Sequence, residues 1–244
     1  MTTVRAAFAI LAAAAVAVLC GPVAGAAAEE AARQVDVALV LAMDVSASVN
    51  DERFQLQRAG YASAFGDPAV IAAIAAGRQH AIAVTLVEWS GATHQEQVVG
   101  WTVIESEETA RSFGSAIAET PRLFSDVTAV GEAILYGTRL LTTAPFEAER
   151  RIVDMSGDGS NNNGRPAPGA RDIAVGAGLT VNGLPILGNE AGLEAYYRDN
   201  VIGGPGAFMI VVKDYRSFAE AVLDKLVREI AALRGAAPAD TAAE

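Results

Sequence analysis

The stretch that decides the fold is VDVALVLAMDVSAS, residues 35–48. Its first nine residues form a nearly continuous apolar run, which is typical of a parallel strand buried on both faces of a sheet. Directly after it, Asp44, Ser46 and Ser48 place oxygen atoms at alternate positions. Ligands of open α/β sheets bind beyond the carboxyl ends of the strands, and hard cations take oxygen ligands. These three residues are therefore candidate metal ligands, or else a polar turn that caps the next helix.

The rest of the chain alternates between strand-like and helix-like patterns. Further strands are predicted at residues 80–89, 95–104, 151–155, 179–187 and 207–212. Helical patterns lie between most of them, and the Gly-, Asn- and Pro-rich stretch 157–170 is predicted to be a loop. The sequence thus predicts a doubly wound α/β fold. Its sheet is mostly parallel and six-stranded, with one antiparallel edge strand at 95–104 and helices on both faces.

The two ends of the chain differ from this pattern. Arg5, the apolar run 6–19 and the small residues 24–26 predict a secretory signal peptide over residues 1–26, the alternative being a retained anchor. The α/β domain is then expected at 34–234 and a disordered tail at 235–244. We expect the mature protein to be periplasmic or secreted, with no membrane span after signal cleavage.

Cysteine content and charge restrict the chemistry. The one cysteine, Cys20, lies in the predicted signal segment, so a disulfide, a CxxC redox site and a cysteine-rich zinc site are excluded from the mature chain. The formal net charge is −11, which disfavours binding to nucleic acid and to anionic membrane surfaces. The two histidines, His80 and His94, have no cysteine nearby and are expected to have a structural or surface role.

Three motifs together resemble the metal-ion-dependent adhesion site (MIDAS) of von Willebrand factor A-like domains. The first is the Asp44, Ser46 and Ser48 loop after its apolar strand. The second is Thr128 in SDVTAVGEAI, residues 125–134, and the third is Asp158 in IVDMSGDG, residues 152–159. The order and spacing match those of the family, and the resemblance covers roughly residues 34–234.

This resemblance implies both a ligand set and a mode of action. Asp44, Ser46, Ser48, Thr128 and Asp158 would hold Mg²⁺, or else Mn²⁺ or Ca²⁺, with Asp158 acting directly or through water. An open position on the metal would accept an Asp or Glu carboxylate of an unknown protein partner. Such bridging needs no nucleophile or general base, so the chain is predicted to be a binding module and not an enzyme.

One departure from the family pattern precedes the second aspartate. The family usually has Thr or Ser there, whereas this chain has Gly157, and the loop 160–164 (SNNNG) is also unusual. The segments VEWSG (87–91) and SGDG (156–159), with the Asn run, resemble a family of uncharacterised bacterial exported proteins with this fold. That closer resemblance supplies no activity.

Two other metal chemistries compete. GDGSNN, residues 157–162, resembles a motif of haloacid-dehalogenase-type phosphohydrolases, which use Mg²⁺, although Ser46 stands where their second Asp is needed. Those enzymes also need a basic residue, and the lysines, Lys213 and Lys225, come late in the chain. A calcium loop beginning at Asp158 lacks the required Gly at its sixth position and Glu at its twelfth.

Two acidic residues of the predicted strands have no assigned role. Glu88 and Asp154 lie inside or at the end of apolar runs. They could be half-buried hydrogen-bond acceptors, or they could contact the metal ligands without contacting the metal. The sequence leaves both interpretations open.

Overall fold

The computed structural model describes residues 32–231. The predicted signal peptide (1–26) and tail (235–244) lie outside these residues. The strands are β1 (Arg33–Asp44), β2 (Ile82–Trp89), β3 (Gln95–Ile104), β4 (Phe146–Gly157) and β5 (Thr180–Pro185). The helices are α1 (Asp51–Phe65), α2 (Pro68–Ala75), α3 (Glu107–Glu119), α4 (Val130–Thr142), α5 (Ala167–Gly176), α6 (Leu193–Tyr196) and α7 (Phe218–Ala231). A π-helical turn (Tyr197–Val201) follows α6, and a 3₁₀ turn (Tyr215–Ser217) precedes α7.

The strand order in the sheet is β3-β2-β1-β4-β5. Strand β1 pairs in parallel with both β2 and β4, β5 pairs in parallel with β4, and β3 is the antiparallel edge strand. The predicted doubly wound α/β fold with one antiparallel edge strand is confirmed. Within residues 32–231, no helix combines the length and apolar character that crossing a bilayer would require.

The prediction of a sixth strand at 207–212 is wrong. That segment runs beside β5 but forms only isolated parallel bridges, Gly183 with Met209 and Ile186 with Val212. Pro185, between the two bridges, has no backbone N–H to donate, so a continuous ladder cannot form there. The loop predicted for 157–170 is also shorter than expected, because α5 already begins at Ala167 with Pro168 in its first turn, a position that suits proline.

The core lies on both faces of the sheet, and β1 contributes to each. Leu39 and Leu41 pack into the larger cluster, which includes side chains from α1, α3 and α7. Val40 and Ala42 pack into the opposite cluster, which includes side chains from α4 and α5. Because β1 is covered on both sides, its sequence has to be apolar at nearly every position.

Three loops meet beyond the carboxyl end of the sheet. Met43 pairs with Ser156, so the chain leaves β1 and β4 side by side. The segment between α3 and α4 reaches the same edge, where Ala47 N–H donates to the Asp126 carbonyl at 2.7 Å. Residues far apart in sequence are thereby brought to one edge of the sheet, as the topology of open α/β sheets requires.

Candidate metal centre

The loop after β1 is a tight turn built on a buried aspartate. Asp44 is fully buried, and its Oδ1 accepts a 2.7 Å hydrogen bond from the Ser46 N–H. Gln57 of α1 donates from Nε2 to the Asp44 carbonyl at 3.0 Å, which fixes the backbone at the end of the strand. The hydroxyls of Ser46 and Ser48 lie 3.1 Å apart. The three predicted ligands of this loop therefore form one cluster.

Asp158 joins this cluster from the end of β4. It is only 1% exposed, and its Oδ1 accepts a 2.5 Å hydrogen bond from the Ser48 hydroxyl. Its backbone N–H lies 3.4 Å from Oδ2 of Asp44, so the two carboxylates belong to neighbouring loops in direct contact.

Thr128 completes the predicted set. It is buried and lines an open depression of about 260 Å³ at the protein surface. The depression is lined by Ser48, Thr128, Asp158, Gly159, Ser160, Asn162, Asn189 and Glu190. Thr128, Ser48 and Asp158 thus face one space, and Asp44 and Ser46 lie against Asp158 and Ser48. The structure brings all five predicted residues together.

The electrostatics favour a cation between the two aspartates. Burial, and after it the charge of Asp158, raises the pKa of Asp44 to about 7. Two carboxylates held this close in a buried setting repel each other, and a bound cation would relieve that repulsion. Within residues 32–231, no group of three or more His, Cys, Asp or Glu side chains is placed to hold a metal. A cation here would therefore depend on hydroxyl ligands as well, and two carboxylates with three hydroxyls fit a hard divalent ion.

Three donors that sequence analysis did not identify hold the other oxygen of Asp158. Its Oδ2 accepts hydrogen bonds from Tyr215 Oη at 2.8 Å, Asn189 Nδ2 at 2.9 Å and Arg53 Nη1 at 3.2 Å. The guanidinium of Arg53 also lies over the Tyr215 ring, 5.1 Å from its centroid. These residues come from separate segments with no shared motif, so no local signal in the sequence could have identified them.

The departure at Gly157 has a steric explanation. A Cβ at this position would lie 2.8 Å from the hydroxyl of Tyr197 and 2.9 Å from Oδ2 of Asp44. Tyr197 is fully buried on the π-helical turn. The space that Thr or Ser would need in this position is thus filled by a tyrosine from elsewhere in the chain.

Glu88 and Asp154 both have roles away from the predicted ligands. Glu88 is buried, and its Oε2 accepts a 2.9 Å hydrogen bond from the Leu123 N–H. Asp154 forms a fully buried ion pair with Lys225 of α7, with 2.5 Å between Oδ1 and Nζ. Lys225 also pairs with Glu229. This lysine is therefore committed to the interior and is not free to bind a phosphate group.

The tryptophans and His94 contact other side chains, and His80 lies at the surface. His94 stacks on Phe124 and lies 3.2 Å from a carboxylate oxygen of Asp126, while His80 is exposed. Trp89 is buried in the core, and Trp101 packs edge-on against Phe146.

The fold is shared with von Willebrand factor A-like domains among the solved structures. A family model with the description "Protein of unknown function (DUF1194)" matches residues 34–234, so the chain belongs to this family. No curated protein matches the sequence.

Solved structures share the fold at low identity. Proximal thread matrix protein 1 from the mussel byssus is 13% identical with a TM-score of 0.61, covering 82% of this chain and 48% of that one. The same protein with a zinc-occupied MIDAS motif is 15% identical with a TM-score of 0.57, over 82% and 46%. The von Willebrand factor domain of the type V pili tip protein Mfa5 from Porphyromonas gingivalis is 9% identical with a TM-score of 0.57, over 84% and 98%. This chain therefore spans about half the length of the mussel protein, and the likeness shows the fold.

Proposed function

We propose that the protein is an exported binding module that captures a protein partner through a divalent cation. The cation is held by Asp44, Ser46, Ser48, Thr128 and Asp158. The observation that carries this proposal is the meeting of two buried aspartates and three hydroxyls at one edge of the sheet, with Ser48 Oγ only 2.5 Å from Oδ1 of Asp158. The zinc-occupied MIDAS of the mussel protein supports it, since that protein shares the fold.

The charge balance explains why such a cation would recruit a carboxylate. With a cation bound, both aspartates would be ionised and contribute two negative charges, and Arg53 lies 3.2 Å from Oδ2 of Asp158 and offsets part of that charge. A divalent ion in this setting keeps positive character and attracts an anionic group at its open position. Mg²⁺, Mn²⁺ and Ca²⁺ all accept oxygen ligands of this kind. We therefore propose that the partner offers an Asp or Glu side chain.

The surface beside Thr128 indicates which kind of residue would flank that carboxylate on the partner. Among residues 32–231, the exposed large hydrophobic side chains are Leu123 (45%), Val127 (41%) and Ile173 (47%). Two of these three, Leu123 and Val127, lie in the segment that leads into Thr128. Apolar side chains at the rim of a binding site contribute contact area without competing for the metal. The proposed partner surface is therefore an acidic residue flanked by apolar ones.

The test is calorimetric titration of Mg²⁺, Mn²⁺ and Ca²⁺ into the purified protein, with thermal unfolding followed in parallel. Metal at about one hundred times its dissociation constant should stabilise the fold by about 2.7 kcal/mol. Asp44→Asn and Asp44→Ala should lose both the binding and the stabilisation while keeping the native circular dichroism spectrum. The matched control is Asp172→Ala, since the Asp172 side chain is exposed on α5 and pairs with its neighbour Arg171.

Unchanged metal titration in both Asp44 variants would overturn the proposal. The same preparations distinguish the phosphohydrolase alternative in a generic phosphatase screen with Mg²⁺, because turnover that is lost in Asp44→Asn would favour an enzyme. Capture of a partner from the cell envelope in Mg²⁺, and its release by chelator, tests the binding function itself. Fractionation of cells tests the expected export.

A further inference from the structure

Three consecutive asparagines follow Asp158, and each side chain binds a different part of the backbone. The Oδ1 atoms of Asn161, Asn162 and Asn163 accept hydrogen bonds from the N–H groups of Gly131 (3.0 Å), Thr128 (2.9 Å) and Ala92 (2.9 Å), respectively. The three asparagines thus bind the first turn of α4, the proposed metal ligand Thr128, and the turn between β2 and β3.

The bond between Asn162 and Thr128 is reciprocal. The Thr128 N–H donates to Oδ1 of Asn162, and the Asn162 N–H donates back to the Thr128 carbonyl, both at 2.9 Å. The next residue, Ala129, donates its N–H to the Ser90 carbonyl at 2.8 Å. Both polar backbone groups of Thr128 are therefore held by one residue. These two hydrogen bonds fix the backbone of Thr128, and with it the point from which its side chain extends.

The neighbouring asparagine holds the same segment from its other end. Helix α4 has Ala129 at its N-cap position, which provides no side-chain hydrogen bond. Oδ1 of Asn161 accepts from Gly131 in the first turn of α4 and so satisfies one of the free N–H groups of that turn. The segment that carries Thr128 is thus anchored to the loop after β4 at two points.

We propose that Asn162 is a positioning residue of the metal centre, which holds the Thr128 hydroxyl toward the depression shared with Ser48 and Asp158. This inference rests on the proposed metal site. Asn162 and Asp158 belong to the same loop, so the reciprocal bonds make the Asp158 and Thr128 loops one unit around the cation. Groups that hold metal ligands in place commonly change metal affinity about tenfold to a hundredfold when removed.

The test compares Asn162→Ala with Asn163→Ala in calorimetric titrations of Mg²⁺ into the full protein. Both substitutions remove one side-chain oxygen that accepts a backbone N–H at 2.9 Å, but the partner of Asn163 is Ala92, outside the proposed ligand set. We expect Asn162→Ala to weaken Mg²⁺ binding about tenfold and Asn163→Ala to leave it within about twofold. In the presence of chelator, the two variants should show similar shifts in the urea midpoint, because each loses one hydrogen bond of the same kind.

A double-mutant cycle separates positioning from a general effect. If Asn162 acts through the Thr128 hydroxyl, Asn162→Ala combined with Thr128→Val should bind Mg²⁺ no more weakly than Thr128→Val alone. Fully additive losses would overturn the inference, and so would equal Mg²⁺ affinities of Asn162→Ala and Asn163→Ala. Asn162→Ser keeps a shorter polar side chain and is a milder variant. It should still bind Mg²⁺ more weakly than Asn163→Ala. If the unaltered protein binds none of Mg²⁺, Mn²⁺ and Ca²⁺, the proposed function itself is wrong. That result is distinct from a failure of the positioning role of Asn162.

Discussion

Arg53 donates a hydrogen bond from Nη1 to Oδ2 of Asp158, and this places a fixed positive charge beside the predicted metal ligands. The same nitrogen donates to the Ser48 carbonyl at 2.8 Å. Arg53 therefore contacts both loops that meet at the sheet edge. It stabilises the arrangement of Asp158, but its charge also opposes the binding of a cation nearby.

The first prediction separates these two effects. Arg53→Gln removes the positive charge and keeps a hydrogen-bond donor, so Mg²⁺ should bind more tightly by about 1 kcal/mol, or roughly fivefold. The measurement is calorimetry at fixed ionic strength. Arg111→Gln on α3 is the matched control, because Arg111 pairs with Glu107 of its own helix and should leave the affinity unchanged. Weaker Mg²⁺ binding by Arg53→Gln would mean that the positioning of Asp158 outweighs the charge.

The second prediction concerns Gly157, where the resemblance to the adhesion-site motif led us to expect Thr or Ser. Gly157→Thr should lower the free energy of unfolding by about 2–4 kcal/mol, because its Cβ would collide with the Tyr197 hydroxyl and with Asp44. Urea denaturation measures the loss. Gly159→Ala is the control, since its Cβ would find its nearest neighbour at 3.7 Å, an ordinary contact. Tyr197→Phe should recover part of the stability of Gly157→Thr, and equal stability of the Gly157→Thr and Gly159→Ala variants would refute the steric account.

The third prediction tests the buried ion pairs of α7. Lys225→Met should destabilise the protein by about 3–5 kcal/mol at neutral pH, since it leaves Asp154 and Glu229 buried without a cation. Burial, and after it the Asp154 charge, already raise the pKa of Glu229 above its usual value, so this carboxyl takes up a proton more readily as the pH falls. The loss measured at pH 5 should therefore be smaller than at pH 8. A loss that does not depend on pH would instead indicate a packing defect.

The fourth prediction is a pH dependence of stability caused by Glu88. Burial raises its pKa from 4.5 to about 7, so the native state holds this proton more tightly than the unfolded chain. The resulting stabilisation is complete below pH 4.5 and is lost as the pH rises through 7. Glu88→Gln resembles the protonated carboxyl at every pH, so it should not lose this stabilisation and should be more stable than the unaltered protein by about 1–2 kcal/mol at pH 8.

Urea midpoints of both forms at pH 5 and pH 8, in chelator, test this prediction. Asp44 contributes a trend of the same sign, because its pKa is also raised to about 7. The difference between the two proteins isolates Glu88, since Asp44 is present in both. Parallel stability curves for the two proteins would show that Glu88 does not titrate in this range.

The parts of the fold that depend on local sequence could be predicted. The apolar run of β1 reports burial on both faces, and Asn50 marks the start of α1, where its side chain accepts the Arg53 N–H at 2.9 Å. The carboxyl end of β1 likewise indicated where Asp44, Ser46 and Ser48 would lie. Each of these features is encoded within a few residues, so patterns of apolarity and capping are sufficient to recognise it.

The parts that depend on long-range contacts could not be predicted. Asp158 is separated by 105 positions from Arg53 and by 57 from Tyr215, and nothing near either residue indicates a carboxylate partner. Lys225 is one of five charged residues in the amphipathic helix α7, and sequence patterns favour a solvent-exposed position for such a residue. The segment 207–212 has the composition of a strand, but whether it pairs depends on Pro185 in another element.

The central position of β1 has a consequence for how the molecule is made. Ala42 in β1 accepts a hydrogen bond from Ser156 in β4, and 114 positions separate them. During synthesis, β1 must therefore remain without one of its two neighbouring strands until most of the domain has been made. Sheets that depend on such distant pairings fold slowly and expose surfaces prone to aggregation. A chaperone that shields residues 35–43 until β4 emerges would raise the yield of folded protein. The proposed metal ligands come together only when β1 and β4 have paired.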